Sequence, residues 1–262
     1  MAVSTTSYFS NAFPVGNAMF KGNIFSSSTT PLYPVGMKIV RGDGAEYVYG
    51  HFGAATNRGL VVAQDLSETS VVDTDNAVIA PASAVAVPGE TLKPGSIGSR
   101  YVELTLAAVT ANQFEGGYLA ITDDTGEGFQ YRIKGNTATD NPATGNIRLE
   151  LYDPLQAALD ATSDIAITGC LYNDLEPATA ATDDNVAGVS VATQASGDYG
   201  WVQTRGIATV LEDGAVVLSE NVMVGAVAGS VAAAAALTDY TIGQVVMVGD
   251  DTGHCQILLN LY

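Results

Sequence analysis

The scarcest reactive side chains in the chain are two histidines and two cysteines: His51, His254, Cys170 and Cys255. Neither histidine has a cysteine, histidine or carboxylate at a spacing that closes a zinc site. His254 and Cys255 are neighbours, and neighbours on a strand point to opposite faces, so the pair is not expected to chelate one ion. The two cysteines allow one disulfide or two buried thiols, and two isolated cysteines favour the thiols. The nucleophile elbow Gly-x-Ser-x-Gly does not occur, and Gly95-Ser96-Ile97-Gly98 has the wrong spacing. Gly42-Asp43-Gly44 lacks the third glycine and the following helix of a dinucleotide fingerprint. Acidic pairs recur at Asp73 and Asp75, Asp123 and Asp124, Asp183 and Asp184, and Asp250 and Asp251. Paired carboxylates can serve a glycosidase. Each pair here sits beside Gly, Thr or Asn, where Asp bonds its own backbone. Residues 123–127 offer oxygen ligands for calcium without matching the twelve-residue EF-hand loop. The lone Trp201 would serve a carbohydrate platform if exposed; a strand tryptophan between glycines is more commonly core, and Trp201 is assigned there. The chain therefore reads as non-enzymatic, with no catalytic residue, metal or cofactor expected.

The 262 residues carry 28 acidic and 10 basic side chains, a net charge of −18. Binding to a nucleic acid depends on Lys and Arg neutralising phosphates, so neither nucleic acid nor an anionic membrane is expected as a partner. Charged residues make up 15% and hydrophobic residues 47%, a balance that supports a packed core rather than disorder. The longest apolar run, 231–237, is too short to cross a bilayer, and the first residues have no secretory pattern.

The elements that must position these residues are short strands. The 28 glycines and the β-branched runs between them predict an all-β chain of several small barrel or sandwich units. Residues 1–36 form an expected extended N-terminal arm. Its charge is confined to Lys21, and its aromatics are Tyr8, Phe9, Phe13, Phe20, Phe25 and Tyr33. These six are candidate partner-binding residues, because an uncharged, aperiodic segment can drop aromatic anchors into another protein. A tail packed on its own body is the other reading. Removing residues 1–36 is expected to leave the fold intact.

Residues 37–98 are a first β unit with a Pro/Gly connector, opened by a hairpin across Gly42-Asp43-Gly44. Residues 99–175 are a middle β unit with clear alternation at Val102, Leu104 and Leu106, at Phe129, Tyr131 and Ile133, and at Ile147, Leu149 and Leu151. The only helix expected spans 153–161, with Asp153 as N-cap and Pro154 at the first position. Residues 176–262 are a C-terminal barrel-like unit. Residues 46–53 resemble residues 199–206. Either the first and last units are duplicated barrels, or the likeness is chance in a Gly/Val-rich chain.

Tyr199-Gly200-Trp201-Val202-Gln203, then Gly206, Gly214 and the closing Ile242-Gly243, resembles the C-terminal part of capsid decoration (cement) proteins of tailed bacteriophages. Residues 111–119 and Tyr131-Arg132-Ile133 are similar to phage structural proteins. The resemblance covers roughly the last two thirds of the chain. It implies a virion structural protein made in the host cytoplasm, a β-barrel body, a homotrimer, and binding to the major capsid protein on the capsid exterior. A tail, neck or fibre-associated protein and a carbohydrate-binding adhesin module are the other readings.

Overall fold

A computed structural model describes residues 22–64, 71–74 (backbone), 77–140, 145–179, 185–235, 240–250 and 253–261. The chain divides into two compact units: residues 1–65 with 171–262, and the inserted residues 66–170. Tyr8, Phe9, Phe13, Phe20, Asp75, Asp183, Asp184 and Asp251 lie outside the described residues.

The first unit supplies β1 (Lys38–Val40), β2 (Glu46–His51) and β3 (Val61–Gln64) before the insertion. The inserted unit holds β4 (Val71–Thr74), β5 (Tyr101–Thr105), β6 (Tyr118–Asp123), β7 (Gln130–Asn136), β8 (Asn146–Leu151) and β9 (Asp164–Thr168). The chain then returns to the first unit with β10 (Leu175–Pro177), β11 (Asn185–Ser190), β12 (Tyr199–Glu212), β13 (Asn221–Val224), β14 (Ser230–Ala233), β15 (Gly243–Met247) and β16 (His254–Asn260). The fold is all-β, as its composition requires. Stretches expected as separate first and last units thus pair in one sheet.

That sheet is organised by β12, which has 14 residues. Its first half is buried on both faces and pairs β2 and β11. Its second half alternates buried and exposed residues and pairs β16 and β14. Gly206, at φ +97°, marks the changeover, and a β-carbon there would lie 3.1 Å from Ala45. A residue with a side chain would strain this bend. Beyond it, β12, β14, β13, β15 and β16 close into a five-stranded barrel, because β16 returns to pair with β12. Closure removes the free edges a strand would otherwise expose. The interior is filled by Ala208, Val210, Val222, Val231, Val245, Cys255, Ile257 and Leu259, with no room for a ligand in so small a barrel.

Before the changeover, both faces of the sheet are covered. Phe52, Val62, Leu175, Ala187 and Val202 fill one face. The other carries Tyr47, Tyr49 and Trp201, covered by Ile24 and Tyr33 from the N-terminal segment and by Met37 next to it. The expected duplicate segments are antiparallel partners in this ladder: Gly50 faces Gly200, and Tyr49 faces Trp201.

The inserted unit is an antiparallel six-stranded sheet in the order β4-β9-β6-β7-β8-β5. Inward residues from five of its strands, Val102 through Ile167, belong to a single cluster, so the sheet curls around one core. Phe114, Leu155 and Leu159 complete that core. The helix expected over 153–161 does not form. Leu155 and Leu159 are buried as anticipated, but the segment's backbone bonds elsewhere. Leu155 N donates to Ser99 O and Leu159 N to Gly95 O, each at 2.8 Å, and Gly98 N donates to Leu155 O at 2.8 Å. A helix this short is marginal alone, so carbonyls offered by the glycine-rich connector outcompete it.

Candidate functional site

The aromatic cluster of the first unit starts from two alternating patterns. On β2, Tyr47, Tyr49 and His51 share a face; on β12, Tyr199, Trp201 and Gln203 do. Register brings them opposite one another: His51 to Tyr199, Tyr49 to Trp201, Tyr47 to Gln203. Tyr49 meets Trp201 edge-on at 5.1 Å between centroids and stacks on Tyr199 at 6.3 Å. His51 lies 4.7 Å from Tyr199 and donates from Nδ1 to Asn173 Oδ1 at 3.0 Å.

The N-terminal segment is fastened to this cluster. Ser28 and Tyr199 exchange both backbone bonds, at 3.0 and 2.7 Å. Ser27 Oγ donates to Asp198 Oδ2 at 2.6 Å, and Leu32 N donates to the Tyr49 hydroxyl at 3.2 Å. Burial raises the pKa of Tyr49, opposed by the Leu32 bond, so it stays a neutral phenol. A small cleft of about 30 Å³ lies between the segment and the rings of Tyr33, Tyr49, Tyr199 and Trp201.

Of the six candidate partner-binding aromatics, two are described, and they part company. Tyr33 packs on Tyr49 and Trp201 within its own unit. Phe25 is 63% exposed. Trp201 is 1% exposed, which takes away the ring face a glycan platform needs. Tyr49, Tyr199 and Asn173 are not singled out as site residues by the sequence, and His51 is read there only as an isolated histidine; the aromatic at every second position of β2 is the signal that could have found the cluster.

The other reactive side chains are committed locally. His254 is exposed and Cys255 is fully buried, on opposite faces of β16. Both cysteines are buried, and they do not form a disulfide with each other. Burial, and secondarily the Glu212 carboxylate, pushes the Cys255 thiol up to about 11. Carboxylates across the fold accept backbone N–H groups of loops. Asp43 holds Ala45, Asp123 holds Asp124, Asp140 holds Asn146, and Asp160 holds Thr162, all within 3.0 Å. Asp213 Oδ2 takes Ala226 and Val227 at 2.8 and 3.0 Å. Much of the acidic excess thus pins loop backbone. Among the described residues, no group of three or more His, Cys, Asp or Glu is placed to hold a metal ion, and no helix is long and apolar enough to cross a membrane.

These features define an all-β protein with a small closed barrel, a second curled sheet and an aromatic anchor for its N-terminal segment. The chain matches no protein-family model, no curated protein and no solved structure.

Proposed function

We propose that the chain is a non-catalytic virion structural protein of a tailed bacteriophage, which binds the outer surface of the capsid and stabilises it as a decoration protein. The observation that carries this reading is the anchoring of residues 22–36. They are bonded to the aromatic cluster through Ser27, Ser28 and Leu32. Residues 1–21, with Tyr8, Phe9, Phe13 and Phe20 and a charge only at Lys21, lead into that fixed point. An anchored body preceded by an uncharged, aromatic-rich segment suits a protein that grips a partner by burying aromatics. The segment that carries the resemblance, Tyr199-Gly200-Trp201-Val202-Gln203, forms the first half of β12, whose second half enters the barrel, which also supports the reading.

The mechanism is mass action. A protein that binds the assembled lattice and not its separated subunits stabilises the lattice in proportion to the logarithm of its free concentration over Kd. The partner is the major capsid protein, and three copies per binding unit is the assembly the resemblance implies. Binding of the purified chain to shells lacking it, read by co-sedimentation, tests the proposal. Saturable binding supports it, and no binding at micromolar concentration overturns it.

A further inference from the structure

The outer face of the inserted unit carries an exposed strip unrelated to its core. Tyr118 on β6 lies directly opposite Arg132 on β7. Tyr152, just past β8, donates its backbone N–H to Arg132 O at 3.0 Å. The Arg132 guanidinium lies over the Tyr152 ring, 5.2 Å from its centroid. Tyr118 and Tyr152 are 45% and 40% exposed. Along the same face, Lys134 pairs with Glu150, and Tyr101 stands opposite Glu150.

Carboxylates outnumber basic side chains 28 to 10 in this chain, yet Arg132 makes no ion pair among the described residues. At 5.2 Å the Tyr152 ring holds the guanidinium by a cation–π contact, and, with no ion-pair partner among the described residues, Arg132 keeps N–H donors for a carboxylate. Arginine and tyrosine are also the residues that dominate binding at protein interfaces, because they bury large area at small entropic cost. An open sheet face of this kind fits a protein surface better than an enclosed small ligand.

We infer that the Tyr118–Arg132–Tyr152 strip is a docking surface for a protein partner, with Arg132 receiving a partner carboxylate and the two tyrosines packing around it. The assignment rests on the capsid reading, and the partner is then the shell protein. The occupant's chemistry follows from Arg132, a cation with no ion-pair partner among the described residues, which a carboxylate on the partner complements. A chain of −18 repels an acidic surface in most orientations. Screening over about 8 Å at physiological salt lets the local cation govern the final approach. The strip therefore sets orientation as well as affinity.

The test is co-sedimentation of the full chain with shells lacking it, comparing wild type, Arg132→Glu, Tyr118→Ser and the control Arg58→Glu. Arg58 is exposed in the other unit, and its replacement changes net charge equally. Arg132→Glu is expected to weaken binding on the order of tenfold or more, and Arg58→Glu less than about twofold. Tyr118→Ser is expected to weaken binding with no change in melting temperature. Wild type that binds together with an Arg132→Glu variant equal to the control overturns the strip assignment alone. Wild type that fails to bind overturns the capsid reading and the assignment together. Unchanged shell binding, with Arg132→Glu instead abolishing retention on an acidic polysaccharide or self-association in sedimentation velocity, also overturns it.

Discussion

Tyr33 sits with its ring centroid 5.5 Å from that of Trp201, so a residue from the N-terminal segment completes the core around β12. The segment is therefore two things in sequence. Residues 22–36 belong to the body, and residues 1–21 lie outside the described residues.

Removing residues 1–36 is consequently not expected to leave the fold intact. It takes Ile24 and Tyr33 out of the aromatic core and breaks the Ser28–Tyr199 bridge. The loss is expected on the order of 3–5 kcal/mol, whereas Tyr33→Ala alone costs about 1–3 kcal/mol. Deletion of residues 1–21, which keeps Ile24, Tyr33 and the Ser28–Tyr199 bridge, is expected to lower the urea midpoint less than deletion of residues 1–36 and to weaken shell binding. Equal midpoints for the two deletions would remove residues 22–36 from the body.

Trp201→Ala removes a fully buried ring and leaves a cavity beside Tyr33 and Tyr49, with a cost of about 3–5 kcal/mol. Urea unfolding followed by circular dichroism checks this. A variant of wild-type stability that has lost glycan binding would restore the adhesin reading.

Cys255 is shielded inside the barrel with a thiol pKa near 11. Its folded value lies above the ordinary thiol value, so the native state holds this proton more tightly than the unfolded chain. The resulting stability is complete below the unfolded pKa of about 8.5 and is lost as pH rises toward 11. Iodoacetamide at pH 8 is expected to label Cys255 only in urea. Rapid labelling of the native protein, located by peptide mass, would contradict the closed barrel.

Asp198 behaves in the opposite sense. The Ser27 hydroxyl first, and then the Ala195 N–H, hold its carboxyl below the usual range. The Thr162 hydroxyl and backbone do the same for Asp160. A lowered pKa contributes stability above the unfolded value and loses it as pH falls through the folded one. The urea midpoint is expected to decline below about pH 4, with a shallower decline in Asp198→Asn. An identical acid limb in that variant would show that the Ser27–Asp198 contact is not formed in solution.

Much of this architecture was legible in residue patterns. The alternation at Val102 and Leu104 and at Ile147, Leu149 and Leu151 marks inward faces of β5 and β8, because a half-buried strand writes its period directly. The turn Gly42-Asp43-Gly44 joins β1 and β2 as expected. Phe129, grouped with Tyr131 and Ile133 by that period, is instead 41% exposed, since it precedes β7. The apolar spacing of Leu155 and Leu159 was read correctly as core and wrongly as helix, because burial and periodicity do not reveal that Ser99 and Gly95 take the segment's N–H groups. The meeting of Tyr49 with Trp201 was hidden for a different reason. Their pairing closes a loop of about 150 residues around an inserted unit, and no local pattern encodes such a contact.

The claim that the chain decorates a capsid is tested most directly by counting its copies in purified particles of the source virus, relative to the major shell protein, by quantitative mass spectrometry. Copies comparable in number to the shell protein are the expected result. A few copies per particle, or none, would contradict it.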